Sequence, residues 1–226
     1  LKVCTVFGGV SINPQMLALR GGADIVVATT GRLLDLLQHN ALKFDALQTL
    51  VLDEADKMLS LGFSEELAQV LAALPKKRQN LLFSATFPPE LEQLIASLLH
   101  NPVQINLAKQ DENLIEQHVY TVESERKNAA LIHLIKTGDW QQVLVFASAK
   151  NTCNRLVLKL EKAGIQAAAF HGDLSQGARN NALADFKEKY IRVLIATDVA
   201  ARGIDIQQLP YVVNFDLPRS ANDYIH

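Results

Sequence analysis

Short β-branched runs alternate with amphipathic stretches along the whole chain. The apolar runs Lys2–Phe7, Asp24–Ala28, Thr49–Leu52, Asn80–Phe83 and Val103–Leu107 predict strands. Between them lie helix-like segments such as Gly31–His39, with Leu33, Leu34, Leu36 and Leu37 toward one side, and Pro89–Leu99, entered through Pro88-Pro89. Thr49–Leu52 and Asn80–Phe83 are apolar on both faces. That predicts a parallel sheet covered by helices on both sides, an α/β arrangement. Near Ala108–Gln117 the sequence turns polar and loses its apolar period. Residues 109–117 are therefore read as a linker between a first domain, 1–108, and a second, 118–226.

Alternation then resumes. Strands are predicted at His118–Val122, Val143–Ala147, Ile165–Phe170, Arg192–Ala196 and Tyr211–Phe215, and helices at Arg126–Lys136, Lys150–Ala163 and Gln176–Lys187. Two α/β lobes in tandem follow. Val27-Ala28-Thr29 and Ile195-Ala196-Thr197 each end a strand in the same kind of step, a weak hint of internal duplication that β-propensity alone could produce.

Composition changes this picture little. The 226 residues are 49% hydrophobic and 20% charged, a normal balance for a globular chain. No apolar run approaches the roughly 18 residues that span a bilayer. The opening Leu-Lys-Val-Cys-Thr-Val-Phe reads as a strand rather than a signal peptide, and Leu1 in place of Met suggests a start inside a longer product. Cys4 and Cys153 form no paired motif and read as buried reduced thiols in a cytoplasmic protein. The six His residues never fall at metal-ligand spacing. Net charge is −2, with 8 Lys and Arg against 10 Asp and Glu up to residue 108 and 14 against 14 after it. A global basic footprint is absent, so any case for nucleic acid rests on local motifs.

The sharpest motif is Asp53-Glu54-Ala55-Asp56, run into directly by the apolar strand Thr49–Leu52. Three carboxylates within four residues arrive at the C-terminal end of a buried strand, where open α/β sheets bind ligands. Like charges this close repel unless cations offset them. Phosphoryl transfer needs such a place, with one carboxylate to hold Mg²⁺ through water and another to orient and deprotonate the attacking water. The plainer alternative is a helix start whose acidic residues suit the helix dipole.

Asp53-Glu54-Ala55-Asp56 resembles motif II of the DEAD-box RNA helicases, and further strings resemble that family's motifs in order. They are Gly8-Gly9, Thr29-Thr30-Gly31-Arg32-Leu33 (motif Ib), Ser84-Ala85-Thr86 (motif III), Val145-Phe146 (motif IV), His171-Gly172 and Gln176-Gly177-Ala178-Arg179. Ala196–Asp205 resembles motif V, and Tyr224-Ile225-His226 the opening of motif VI. The wording is nearest to bacterial members, of the RhlE-like branch.

The resemblance implies two tandem RecA-like lobes of the P-loop NTPase superfamily and an ATP-dependent RNA helicase, with ATP and Mg²⁺ as cofactors. It implies that Asp53 holds Mg²⁺ through water, that Glu54 activates the attacking water, and that Asp56 bonds to Ser84 and Thr86 to couple nucleotide state to lobe closure. Gly203 and Asp205 would face the nucleotide; Arg202 is left unassigned. Gly9, Thr29, Gly31, Arg32, His171, Gly172, Gln176, Arg179 and Thr197 would contact RNA. The RNA would be single-stranded or short duplex, read through sugar and phosphate rather than sequence. Implied protein partners belong to ribosome assembly or RNA decay, with no membrane involved.

Three departures stand out. No glycine is followed by Lys, so the phosphate-binding loop is missing; motif VI stops at His226; and Thr30 replaces the family's usual Pro in motif Ib. Both lobes are therefore expected to be truncated and the chain alone to lack turnover. A non-enzymatic RNA-binding scaffold and a DNA-directed translocase stay open as alternatives, the second disfavoured by Ser84-Ala85-Thr86 and Gln176–Arg179.

Overall fold

Strands of four residues, each parallel to its hydrogen-bonded neighbour, carry the architecture of the computed structural model. Residues 1–106, 115–201, 204, 206, 208–218 and 224 are described. The chain divides into two units, Leu1–Gln110 and Asp111–His226.

In the first unit β1 (Val3–Val6), α1 (Ile12–Leu19), β2 (Ile25–Ala28) and α2 (Thr30–Gln38) precede β3 (Thr49–Leu52), α3 (Ala55–Ser60), α4 (Ser64–Ala73), β4 (Gln79–Leu82) and α5 (Pro89–Leu98). β1 pairs with β2, and β3 with β4. Cys4 and Val6 of β1 meet Leu19 of α1 and Leu36 of α2 in one core cluster. Leu52, Ala55, Leu67, Leu91 and Leu98 form another. Parallel pairing puts the C-terminal ends of β1 and β2 side by side, and likewise those of β3 and β4.

In the second unit a 3₁₀ turn, Ser124–Arg126, leads into α6 (Lys127–Thr137), β5 (Val143–Phe146), α7 (Lys150–Lys162), β6 (Ala167–Phe170), α8 (Gln176–Lys187), β7 (Val193–Ala196), α9 (Asp198–Ala201) and β8 (Tyr211–Asn214). Strand order is β6-β7-β5-β8. The period-two alternation of side chains splits each central strand between two cores. Val143, Val145, Val193 and Ile195 pack with Leu131, Ile135, Leu156 and Leu160 of α6 and α7. Leu144, Leu194 and Ala196 face Ala182 and Phe186 of α8. These strands are covered on both sides, as the sequence pattern predicts. β3 and β4, on which that expectation rests, are not: Leu50, Leu52 and Leu82 pack in the core, whereas Val51 and Leu81 on the other face are 53% and 37% exposed.

Two predicted strands do not form. Residues 103–106 and 118–122 carry no strand, and Val103, Ile105 and Val119 are 88%, 80% and 93% exposed. β-branched composition makes a strand only where a neighbour's edge accepts its hydrogen bonds, and these segments have no such pairing. Leu107 lies outside the described residues. No helix among the described residues is long and apolar enough to cross a membrane.

The chain's single tryptophan, Trp140, stacks on Tyr211 at the N-terminal edge of the second sheet, centroids 4.6 Å apart and planes 15° from parallel. Tyr211→Leu keeps apolar area but loses the stack, and should destabilise this unit by about 1 kcal/mol. Urea denaturation followed by Trp140 fluorescence checks this; an unchanged midpoint would refute it.

Candidate functional site

The three carboxylates gather where β3 ends. Phe83 N donates to Leu52 O at 2.8 Å and Ala55 N to Phe83 O at 3.1 Å, so the β3–β4 pairing runs up to the acidic turn. Glu54 takes left-handed backbone angles, φ 49° and ψ 47°. For a non-glycine residue this costs roughly 1–2 kcal/mol. The turn starts α3 immediately and leaves Asp53 and Glu54 exposed while Ala55 and Asp56 are buried. Asp53 Oδ1 accepts from Glu54 N at 3.0 Å.

Asp56 is 4% exposed. Its Oδ2 accepts from Thr86 N at 3.2 Å and Thr86 Oγ1 at 2.5 Å, and its Oδ1 from Lys57 N at 3.0 Å. Ser84 behaves differently from the expectation: its Oγ donates to Thr86 O at 2.7 Å. It thus braces the residue that holds Asp56. The loop after β4 curls so that Thr86, two residues on, presents both donors to one carboxylate oxygen.

Among the described residues no group of three or more His, Cys, Asp and Glu side chains is set to hold a metal ion. A cation at this turn would rest on Asp53 and water. That fits Mg²⁺, which keeps several waters and takes one or two carboxylates together with substrate phosphates.

At the ends of β1 and β2 the structure brings Gly9, Thr29 and Gly31 together, all exposed. Thr29 N donates to Val6 O at 3.1 Å, joining the two strand ends. Gly9 has φ 78°, a left-handed conformation that glycine adopts without strain. Two buried side chains satisfy the backbone of this loop. Gln15 accepts from Phe7 N and donates to Phe7 O, both at 3.1 Å, and Arg32 Nη2 donates to Val10 O at 2.7 Å. Arg32, expected to reach RNA, is 9% exposed, with Nε 3.5 Å from Asp35 Oδ2, and its buried Nε and Nη1 have no hydrogen-bond partner. Sequence reasoning missed Gln15, whose signal is a polar residue on the core-facing side of α1.

In the second unit a cavity of about 500 Å³ opens at the C-terminal ends of the sheet. Ser148, Ala149 and Lys150 line it after β5, Gly172 after β6, Thr197, Val199 and Ala200 after β7, and Arg179 from α8. Strand order reverses around β5, and such switch points are where open α/β sheets form a crevice. Arg179 Nη2 donates to Gln176 Oε1 at 2.7 Å, while its buried Nε has no hydrogen-bond partner. A buried guanidinium donor left open at a cavity wall is set to receive an anion. Gln176 orients the arginine and is itself held by Asn180 at 2.8 Å.

His171, expected to contact RNA, lies deeper than its neighbour. It is 2% exposed with Nε2 3.0 Å from Asn154 Oδ1, so it anchors the β6 end to α7 while its neighbour Gly172 faces the cavity. Ser148 and Lys150, unassigned from sequence, line the same wall; Lys150 pairs with Asp173. Gly203 and Asp205 lie outside the described residues.

The DEAD/DEAH box helicase family matches residues 1–94, and the helicase conserved C-terminal domain matches residues 126–226. The chain is 39% identical over its whole length to the DEAD-box ATP-dependent RNA helicase CshA of Streptococcus pneumoniae, covering 44% of that protein. It is 40% identical to the ATP-dependent RNA helicase RhlB of Pseudomonas aeruginosa, covering 58%. It thus spans less than half the length of the first of these relatives. Among solved structures, S. cerevisiae Dbp5 bound to RNA and ADP BeF3 superposes with a TM-score of 0.84 at 31% identity, covering all of this chain and 59% of that one. A parallel α/β fold of two RecA-like lobes, with the acidic turn and cavity at strand ends, accompanies these matches, and the chain belongs to the DEAD-box helicase family.

Proposed function

We propose that the chain forms the core of an ATP-dependent RNA helicase, coupling ATP hydrolysis to local unwinding of RNA duplexes or remodelling of RNA–protein complexes. The observation that carries this reading is the cavity wall of the second unit. Arg179, with its unpartnered buried Nε, faces Lys150, Thr197 and Gly172 across a space of about 500 Å³. Cationic and hydroxyl side chains with an adjacent glycine backbone suit the phosphate and ribose of a nucleic-acid chain. The Dbp5 structure, which holds RNA and a nucleotide analogue, supports the same reading.

In the first unit Asp53 would hold Mg²⁺ through water, and the ion would supply charge neutralisation at the phosphates. Glu54, exposed beside it, orients the attacking water and takes its proton on the carboxylate. Asp56 carries the state of this turn to Thr86 and the loop after β4. Gly203 and Asp205 belong to the nucleotide site in this proposal. Gly9, Thr29 and Gly31 in the first lobe, and Gly172, Arg179 and Thr197 in the second, meet the RNA backbone. Arg32, His171 and Gln176 belong to the same two RNA-facing surfaces, and their side chains also brace the loops there. The lobes are taken as residues 1–108 and 118–226 with a linker between, and ribosome-assembly or RNA-decay proteins as partners. A cytoplasmic location is part of the proposal, supported by Cys4 and Cys153, both buried and unpaired.

Arg179→Ala tests it. Loss of one charge-assisted phosphate contact should weaken single-stranded RNA binding about tenfold. The loss should be similar for unrelated sequences and should lower the slope of log affinity against log salt by about 0.7. An anisotropy titration at several salt concentrations reads both. Unchanged affinity, or a loss confined to one RNA sequence, would refute the assignment.

A further inference from the structure

Ser148, at the mouth of the cavity, is exposed and lies beyond the last residue of β5, so the sheet does not fix its side chain. What fixes it comes from far along the chain. Asp216 Oδ2 accepts from both Ser148 N and Ser148 Oγ at 3.0 Å. Its other oxygen, Oδ1, accepts from Lys127 Nζ at 2.7 Å. Lys127, the first residue of α6, also stands 4.2 Å above the centroid of the Phe215 ring. Asp216 itself is pinned where β8 ends, since Phe215 N and Asp216 N both donate to Phe146 O, at 3.0 and 3.3 Å. One carboxylate therefore joins α6, the end of β8 and the loop that carries Ser148 into Lys150.

We propose that Asp216 is a positioning residue of the anion-binding cavity, fixing with Lys127 the Ser148–Lys150 wall that a ribose-phosphate chain meets. This rests on the reading of the cavity as an RNA-backbone site. Neither Asp216 nor Lys127 lines the cavity, and neither falls in the motifs that carry the family resemblance.

The arrangement demands an anion. The three groups that reach the Asp216 side chain, Ser148 N–H, Ser148 Oγ–H and Lys127 Nζ, all donate to it, and a carboxylate can accept from all three at once. Burial raises the Asp216 carboxyl, but hydrogen bonds from Lys127 and Ser148 and the charge of Lys127 outweigh it and hold the group below its ordinary value. Lys127 and Asp216 are only 32% and 23% exposed, so solvent screens the pair less than a surface pair. Without the carboxylate, Ser148 N–H and Oγ lose the partner that sets the loop, and Lys150 loses its fixed approach to the cavity.

The test measures affinity of the 226-residue chain for a labelled single-stranded oligouridylate by anisotropy, beside thermal melting. Asp216→Ala should weaken binding about tenfold at a temperature well below its melting point. Asp216→Asn, nearly the same shape, can still accept from Ser148 but turns an amide donor toward Lys127. It should lose affinity too, and Lys127→Met added to it should restore part of the loss. Tyr211→Leu, destabilising but at the opposite edge of the sheet, should leave affinity unchanged. If the Asp216 variants melt lower yet bind RNA normally while Arg179→Ala binds weakly, the positioning role is wrong and the RNA reading stands. If Arg179→Ala and the Asp216 variants all bind normally, both fall. Should Asp216→Ala not fold, Asp216→Asn with its Lys127→Met partner decides alone, and absence of any loss in Asp216→Asn overturns the proposal.

Discussion

Glu54→Gln should lower ATP turnover by the full-length protein by about 10²-fold or more. Glutamine keeps the size of the side chain and its hydrogen-bonding reach but cannot take a proton from the attacking water at neutral pH. The left-handed backbone at Glu54, φ 49°, costs glutamine what it costs glutamate. The residue is also exposed, so no packing is lost. Folding and thermal midpoint should therefore match the unsubstituted protein, which separates a chemical loss from a structural one. RNA binding in the presence of ATP should persist, because the groups assigned to RNA lie on other loops. Steady-state phosphate release beside a melting curve gives the answer. Normal hydrolysis would remove Glu54 from the role of base and shift attention to Asp53.

How much of this could be read from the sequence depends on whether the signal was local. β5 and β7 were legible because Val143-Leu144-Val145 and Val193-Leu194-Ile195 are apolar on both faces and buried on both. The acidic turn was legible because a four-residue apolar strand delivers it. Val103 and the 118–122 segment misled because β-propensity describes how a residue fits a pleated surface, not whether a neighbouring edge exists. Arg32 and His171 show a different limit. A motif fixes residue type and position, whereas the direction of a side chain depends on what surrounds it. Here Val10 O draws the arginine inward, and Asn154 draws the histidine. The Asp216 network was out of reach altogether. Its partners Ser148 and Lys127 lie 68 and 89 positions away in sequence; the parallel pairing of β5 with β8 brings Ser148 to it, and the start of α6 brings Lys127.

Thr86→Val should reduce strand separation by between about 10- and 100-fold while ATP turnover falls far less. Asp56, 4% exposed, accepts from Thr86 Oγ1, a hydrogen bond to a buried anion. Such bonds contribute about 1.5–3 kcal/mol, which sets that range. Valine fills the same space without the hydroxyl, so Asp56 keeps only the Thr86 N–H among the two donors of that residue. The link between the acidic turn and the loop after β4 then loosens, with Asp53 and Glu54 left where they are. Ser84→Ala should do less. Its Oγ donates to Thr86 O, a neutral pair contributing about 0.5–1.5 kcal/mol, and it touches the carboxylate only through Thr86. The double substitution should therefore resemble Thr86→Val more than the sum of the two, since both act on one connection. Unwinding of a short RNA duplex and phosphate release, measured on the same preparations, decide the matter. Equal loss of both activities in Thr86→Val would mean that this loop acts in the hydrolysis itself. A larger effect from Ser84→Ala than from Thr86→Val would mean that Asp56 takes its structural bond from elsewhere.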